Sequence, residues 1–220
     1  MPAPDTLRMG IDVGHTNTDA VLIGGAGDVL GQVKVPAAAD LGESVAAAIA
    51  ALLAGSPVDP GRIMASGFSQ GASMVWFLAC RMPTRFAAFA PIAGAFWEPL
   101  PPGCAGPHPP LIHVHGLADA TVPLAGRALR AGYRQGDVFK SLAILAPGGC
   151  TARWAAEVAG ARPPETLTCR RAAACGGTAR LELCLHAGGH VADPAWVERA
   201  WRLTMNGDAP AARGSLLTFP

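Results

Sequence analysis

Residues 62–79 read Arg62-Ile-Met-Ala-Ser-Gly-Phe-Ser-Gln-Gly-Ala-Ser-Met-Val-Trp-Phe-Leu-Ala79, and the junction at their centre, Gly67-Phe-Ser-Gln-Gly71, decides the fold. The residues before it are strand-like, and the apolar run after it is helix-like. A serine between two glycines at such a junction sits on a sharp turn, with Oγ exposed at the top of a sheet. Glycine allows the backbone to bend that tightly. The chain holds 27 glycines, so the pentapeptide gains weight only if an acid and a histidine follow it in a workable order.

Working outward, the pattern after Arg62 alternates strand, helix, strand. Further strands are expected at 86–93, 111–116, 141–145 and 181–185, with a closing helix around 196–205. That alternation predicts an α/β fold, a mostly parallel sheet flanked by helices. The Pro-rich stretch 99–110 is an excursion between strands, long enough to shape the mouth of a site. Upstream, three short strands (8–14, 19–25 and 29–35) are separated by Gly/Asn/Asp turns. A helix over 41–54 follows, stopped by Gly55 and Pro57. The chain therefore divides into an atypical N-terminal β-β-β-α segment, residues 1–57, and a catalytic region, residues 58–220.

At 220 residues, with half of them hydrophobic and 15% charged, the chain is globular and able to bury a sizeable core. A net charge of +1 gives no electrostatic reason for a nucleic-acid partner. No run approaches the roughly 18 apolar residues of a membrane span. The six cysteines, Cys80, Cys104, Cys150, Cys169, Cys175 and Cys184, show no C-x-x-C spacing. They read either as a disulfide framework or as reduced, half-buried thiols. The opening Met1–Arg8 lacks the basic-then-apolar layout of a secretory signal. The chain as written allows a cytoplasmic location, at odds with an oxidised framework.

Leu111-Ile-His-Val-His-Gly116 ends a strand, and Asp119 emerges on the turn beyond it, at the sheet edge where open α/β sheets place their sites. A buried carboxylate there accepts a hydrogen bond from imidazole Nδ1 and fixes the tautomer. Farther on, Gly188-Gly-His190 breaks the strand 181–185, and the paired glycines permit a tight loop that carries the ring to a serine. His190 would deprotonate Ser69 and then protonate a leaving group. Serine, acid and histidine in that order, with room for strand–helix units between them, form a nucleophilic triad. The backbone N–H of Gln70 supplies one half of an oxyanion hole. The other half normally comes from an upstream loop, often after His-Gly, and none precedes Ser69. His186 is expected to pack, and His113 and His115 share a strand face beside the acid loop. His113, His115 and His190 lack a zinc-binding helix spacing. Neither metal nor cofactor is expected.

From about residue 58 to 205 the chain resembles polyhydroxybutyrate depolymerase-like and feruloyl-esterase-like α/β-hydrolases. The resemblance is carried by Val58-Asp-Pro-Gly-Arg-Ile-Met-Ala-Ser-Gly-Phe-Ser-Gln-Gly71, Ala88-Phe-Ala-Pro-Ile-Ala-Gly-Ala-Phe-Trp97, His115-Gly-Leu-Ala-Asp-Ala-Thr-Val-Pro123 and Ala187-Gly-Gly-His190. It implies an α/β-hydrolase fold and a secreted or periplasmic serine esterase acting on hydroxyalkanoate oligomers or short-chain esters. Ser69 takes the nucleophile position, Asp119 the acid and His190 the base, and Trp97 lies toward the substrate. It also implies disulfides Cys80–Cys104, Cys150–Cys175 and Cys169–Cys184. Met9-Gly-Ile-Asp-Val-Gly-His-Thr-Asn-Thr-Asp-Ala-Val-Leu-Ile23 is similar instead to the start of hydantoinase/oxoprolinase subunits, whose actin-like fold holds nucleotide phosphate on this hairpin. Asp12, Gly14, Thr16 and Thr18 match that pattern, while His15 stands where a glycine is usual. The chain thus reads as a splice, with the hydantoinase-like opening in place of the esterase's first strands and oxyanion loop. Two alternatives to an active esterase follow: a hydrolase remnant lacking half its oxyanion hole, and an anion- or nucleotide-binding fragment.

Overall fold

The structure, a computed structural model, describes residues 7–13, 16–24, 27–39, 41–54, 58–104, 106, 109–146, 151, 153–159, 164–172 and 180–205. The chain forms two compact units, Met1–Asp59 and Pro60–Pro220.

The first unit is an antiparallel meander of β1 (Arg8–Val13), β2 (Asn17–Ile23) and β3 (Val29–Pro36), followed by α1 (Leu41–Leu53). Alternation along β2 buries Thr18, Ala20 and Leu22 and leaves Asp19 and Val21 on the other face. Ala20 and Leu22 meet Ala48 and Leu52 of α1, with Met9, Ile11, Val33 and Val35 packed around them. On the opposite face Asp12 stands directly across from Asp19, and Asp19 across from Lys34.

The second unit runs through β4 (Met64–Phe68), α2 (Gln70–Arg81), β5 (Ala88–Ile92), β6 (Trp97–Glu98) and β7 (Leu111–Gly116). It continues with β8 (Arg127–Ala128), β9 (Arg134–Gln135), α3 (Val138–Leu145), α4 (Trp154–Ala159), β10 (Thr168–Arg171), β11 (Leu181–His186) and α5 (Pro194–Met205). Five strands make the main sheet in the order β10-β11-β7-β5-β4, parallel throughout except for β10 against β11. Helices flank it, so this unit has an α/β-hydrolase-like arrangement. The central strands β5 and β7 are buried at every position, as a parallel sheet covered on both faces requires.

The two faces have distinct cores. Ile112, Val114, Ala90, Ile92 and Cys184 pack under Ala200, Trp196 and Val197 of α5. On the other face Trp76 of α2 makes ring contacts with His113 and Phe96, each at 5.3 Å. A small sheet, β6-β9-β8, stands apart from the main one. Strand β4 is the edge of the main sheet, and among the described residues it pairs only with β5.

One expected strand is a helix. Residues 141–145, Ser-Leu-Ala-Ile-Leu, lie in α3, whose N-cap Asp137 accepts a hydrogen bond from Lys140 N at 2.9 Å. A short apolar run has no period of its own, and the aspartate cap upstream settles it as helix. Disulfides join Cys80 to Cys104, and Cys169 to Cys184 directly across β10 and β11. The expected Cys150–Cys175 pair lies outside the described residues. No helix among the described residues is long and apolar enough to cross a membrane.

Candidate active site

Ser69 occupies the turn between β4 and α2 with φ 58° and ψ −120°. A non-glycine residue holds this backbone only where its surroundings enforce it. Ser69 N–H donates to the Ile92 carbonyl at 3.0 Å, extending the β4–β5 pairing by one residue. Ser73 N–H donates to the Ser69 carbonyl at 3.1 Å, starting the helix. A side chain at Gly67 would run into the Gly71 carbonyl, and a Cβ at Gly94 would lie 2.7 Å from the Ser69 carbonyl oxygen. Gly71 faces open space. The expectation that both glycines of the pentapeptide permit the turn is therefore corrected: Gly67 is required, and the second constraint sits at Gly94, after β5.

Asp119 lies on the turn following β7 and is buried. Its Oδ1 accepts from Thr121 N–H at 2.9 Å and Val122 N–H at 2.7 Å. Its Oδ2 lies 2.7 Å from His190 Nδ1. An ionised carboxylate only accepts, so Nδ1 carries the proton, and Nε2 is left to accept from Ser69 Oγ–H at 2.9 Å. Serine, imidazole and carboxylate thus form one continuous hydrogen-bonded chain. It spans elements more than 120 residues apart in sequence.

The loop carrying His190 is sewn to the acid loop by backbone bonds. Leu117 N–H donates to the His186 carbonyl at 2.8 Å, and Ala118 N–H to that of Gly188 at 3.1 Å. A side chain at Gly116 would collide with the carbonyls of Gly188 and Gly189. Gly188 and Gly189 themselves take no left-handed φ. The glycine that this approach demands is thus in the acid strand, whereas the sequence drew attention to the pair before His190. Phe68, at the end of β4, places its ring 4.6 Å from that of His190. Its position immediately before the serine was the one available signal for that contact.

Beneath the acid turn lies a fully buried histidine pair. His113 Nδ1 is 3.0 Å from the Pro91 carbonyl, His113 Nε2 is 3.0 Å from His115 Nδ1, and His115 Nε2 is 2.7 Å from the Val122 carbonyl. Two neutral rings carry two protons for these three contacts, so all three are hydrogen bonds only if the pair holds one more. Burial opposes that charge, pushing His113 well below its ordinary range and His115 below it, against the pull of the two carbonyls and of Asp119. His186 packs, as expected: its ring lies 4.7 Å from Trp196, its Nδ1 accepts from Gly188 N–H at 3.1 Å, and burial lowers its pKa.

Gln70 is the first residue of α2, where helix amides have no intrahelical partner. Trp97 stands on β6, its ring 5.9 Å from Tyr133 and its Nε1 buried with no hydrogen-bond partner among the described residues. Among the described residues, no hydrogen bond or ring contact joins it to the triad. Cys169, Glu182 and Cys184 have metal-like spacing, but both sulfurs form the disulfide and Glu182 is ion-paired with Arg199 and Arg180. In the first unit, Thr18 is buried on the helix face while Asp12 lies on the other, and Gly14 and His15 are outside the described residues.

No family model matches the chain, and no curated protein does. Among solved structures it is similar to the crystal structure of esterase PE8, at a TM-score of 0.43 and 20% identity over 74% of this chain. That match covers 58% of the PE8 chain, so this chain spans less than two thirds of its length.

Proposed function

We propose that the chain is a serine carboxylic-ester hydrolase acting on hydroxyalkanoate oligomers or other short-chain esters. The observation that carries this reading is His190 bridging Asp119 Oδ2 at 2.7 Å and Ser69 Oγ at 2.9 Å. Ser69 Oγ attacks the ester carbonyl while His190 Nε2 takes its proton. Asp119 holds the resulting imidazolium, and the Gln70 amide faces the oxyanion. The tetrahedral species collapses, the C–O bond to the alcohol breaks, and His190 returns the proton to the alcohol oxygen. Water then attacks the acyl-Ser69 by the same path. Two described disulfides fit an oxidising compartment.

The test is covalent labelling with a fluorophosphonate together with p-nitrophenyl butyrate turnover. Both are expected in the wild-type chain and neither in Ser69→Ala; labelling that persists in Ser69→Ala sinks the nucleophile assignment.

A second reading, an impaired hydrolase, is favoured by one observation: among the described residues β4 pairs only with β5, so no strand hydrogen-bonded to its other edge brings a second oxyanion donor. Loss of one donor costs roughly 100- to 1000-fold in rate. That reading predicts stoichiometric labelling of Ser69 with turnover lower by that factor than in an esterase with both donors. Nucleotide phosphate in the first unit draws no such support. Asp12 faces Asp19 across the strands, and the nearby Lys34 is already paired with Asp19 at 2.7 Å.

A further inference from the structure

We infer that Phe68 and Val191 form the wall against which the alcohol half of the substrate lies, so that the chain selects esters of apolar alcohols. This rests on the ester-hydrolase reading of the triad. When the C–O bond breaks, His190 Nε2 delivers its proton to the alcohol oxygen. That oxygen must therefore come within hydrogen-bond reach of Nε2, and the rest of the alcohol must leave past the imidazole. The Nδ1 edge of the ring is closed by Asp119 and one of its faces is covered by Phe68.

Phe68 is 39% exposed and Val191 is 49% exposed. Single exposed apolar residues are ordinary. These two directly flank the nucleophile and the base in sequence, and one of them touches the base. An alkyl or aryl alcohol emerging there covers apolar surface, while a charged or strongly hydrated one loses water without a partner. The selectivity is therefore assigned to the leaving-group side.

The experiment uses two ester series with the full chain. Butyrates of methanol through hexanol vary the alcohol, and methyl acetate through methyl hexanoate vary the acyl group. Full burial of a methylene is worth roughly fourfold, and a wall on one side gives about half that free energy, so kcat/KM should rise roughly twofold per methylene along the alcohol series. Phe68→Ser should flatten that rise and leave the acyl-series slope unchanged. Phe68→Leu, which keeps an apolar side chain and guards against a folding defect, should retain most of it. An equal fall for every ester in Phe68→Ser would show that Phe68 only props His190, and would overturn the inference. So would an unchanged alcohol slope, or a collapse of the acyl slope instead. A wild-type chain that shows no turnover and whose Ser69 also refuses a fluorophosphonate would overturn the ester-hydrolase reading and this inference with it, whereas turnover without an alcohol-series slope overturns this inference alone.

Discussion

His115 Nε2 lies 2.7 Å from the Val122 carbonyl oxygen, tying a fully buried imidazole to the turn that carries Asp119. Val122 returns the connection, its N–H donating to Asp119 Oδ1 at 2.7 Å. The acid is thus positioned by a residue that touches neither serine nor base. His115→Leu leaves the Val122 carbonyl and a ring nitrogen of His113 without partners. It should cost about 1–3 kcal/mol of stability for each buried group left unsatisfied. Misplacing Asp119 should lower kcat roughly 10- to 100-fold with a smaller change in KM. Urea unfolding and ester turnover measure the two; wild-type kcat in His115→Leu would show that the turn holds itself.

The same pair dictates how stability varies with pH. Burial lowers the pKa of His113 and His115 relative to the unfolded chain, whose histidines titrate near 6.5. Below that pH the unfolded chain takes up protons that the folded chain refuses. The contribution is therefore complete above about pH 6.5 and is lost as pH falls through and below it, at up to about 1.4 kcal/mol per pH unit for each histidine. Urea midpoints followed from about pH 7.5 down to about pH 5 should fall below 6.5, before most carboxylates titrate. His115→Leu should make the fall shallower, and a flat wild-type profile over that range would contradict the neutral, buried pair.

Much of this site could be read from the chain because its parts are local. The turn at Ser69 is five consecutive residues, and Asp119 and His190 each follow a strand whose pattern is plain. What could not be read depends on contacts between distant segments. Gly116 is constrained by carbonyls some seventy residues later, and Gly94 by the carbonyl of Ser69. Ser-Leu-Ala-Ile-Leu in α3 reads as a strand because it is apolar at every position but the first, and the decisive residue, Asp137, lies outside it. β10 carries no strand signal in the sequence, because Thr-Cys-Arg-Arg has no apolar alternation; its place is set by pairing with β11 and by the disulfide.

The two glycines of the pentapeptide should respond oppositely to alanine. Gly67→Ala forces a Cβ into the Gly71 carbonyl, which is backbone and has no rotamer to yield. Loss of more than about 2 kcal/mol is expected, with loss of Ser69 labelling. At Gly71 a Cβ meets nothing within 4 Å, in the first turn of a helix. Gly71→Ala should leave stability unchanged or raise it by up to about 1 kcal/mol, the propensity gain of alanine over glycine. Thermal or urea unfolding of the two variants decides it, and equal damage at both positions would refute the asymmetry.

Each described disulfide should carry stability that reduction removes. Cys80–Cys104 closes a separation of 24 residues and Cys169–Cys184 one of 15. Loops of that size correspond to about 3 kcal/mol each through restriction of the unfolded chain. The paired substitution Cys169→Ser with Cys184→Ser should lower the urea midpoint accordingly. It leaves the ion pair between buried Glu182 and partly exposed Arg199 in place. An unchanged midpoint would mean that the β10–β11 pairing gains nothing from the cross-link.

Gly116→Ala offers a way to separate the acid from the base without altering either. The new methyl group would strike the carbonyls of Gly188 and Gly189, both backbone, immediately before His190. It would also strain the bonds from Leu117 N–H to His186 O and from Ala118 N–H to Gly188 O. The histidine loop must then move away from β7, lengthening the 2.7 Å contact between His190 and Asp119. A displacement of about 1 Å at such a contact is worth roughly 100-fold in rate. The expected result is a large fall in kcat and in the rate of fluorophosphonate labelling, while the fold, held by the buried strands β5 and β7, persists by circular dichroism. Near-normal labelling would mean that the loop absorbs the methyl group elsewhere, and that the seam between the two loops is not what holds His190 in place.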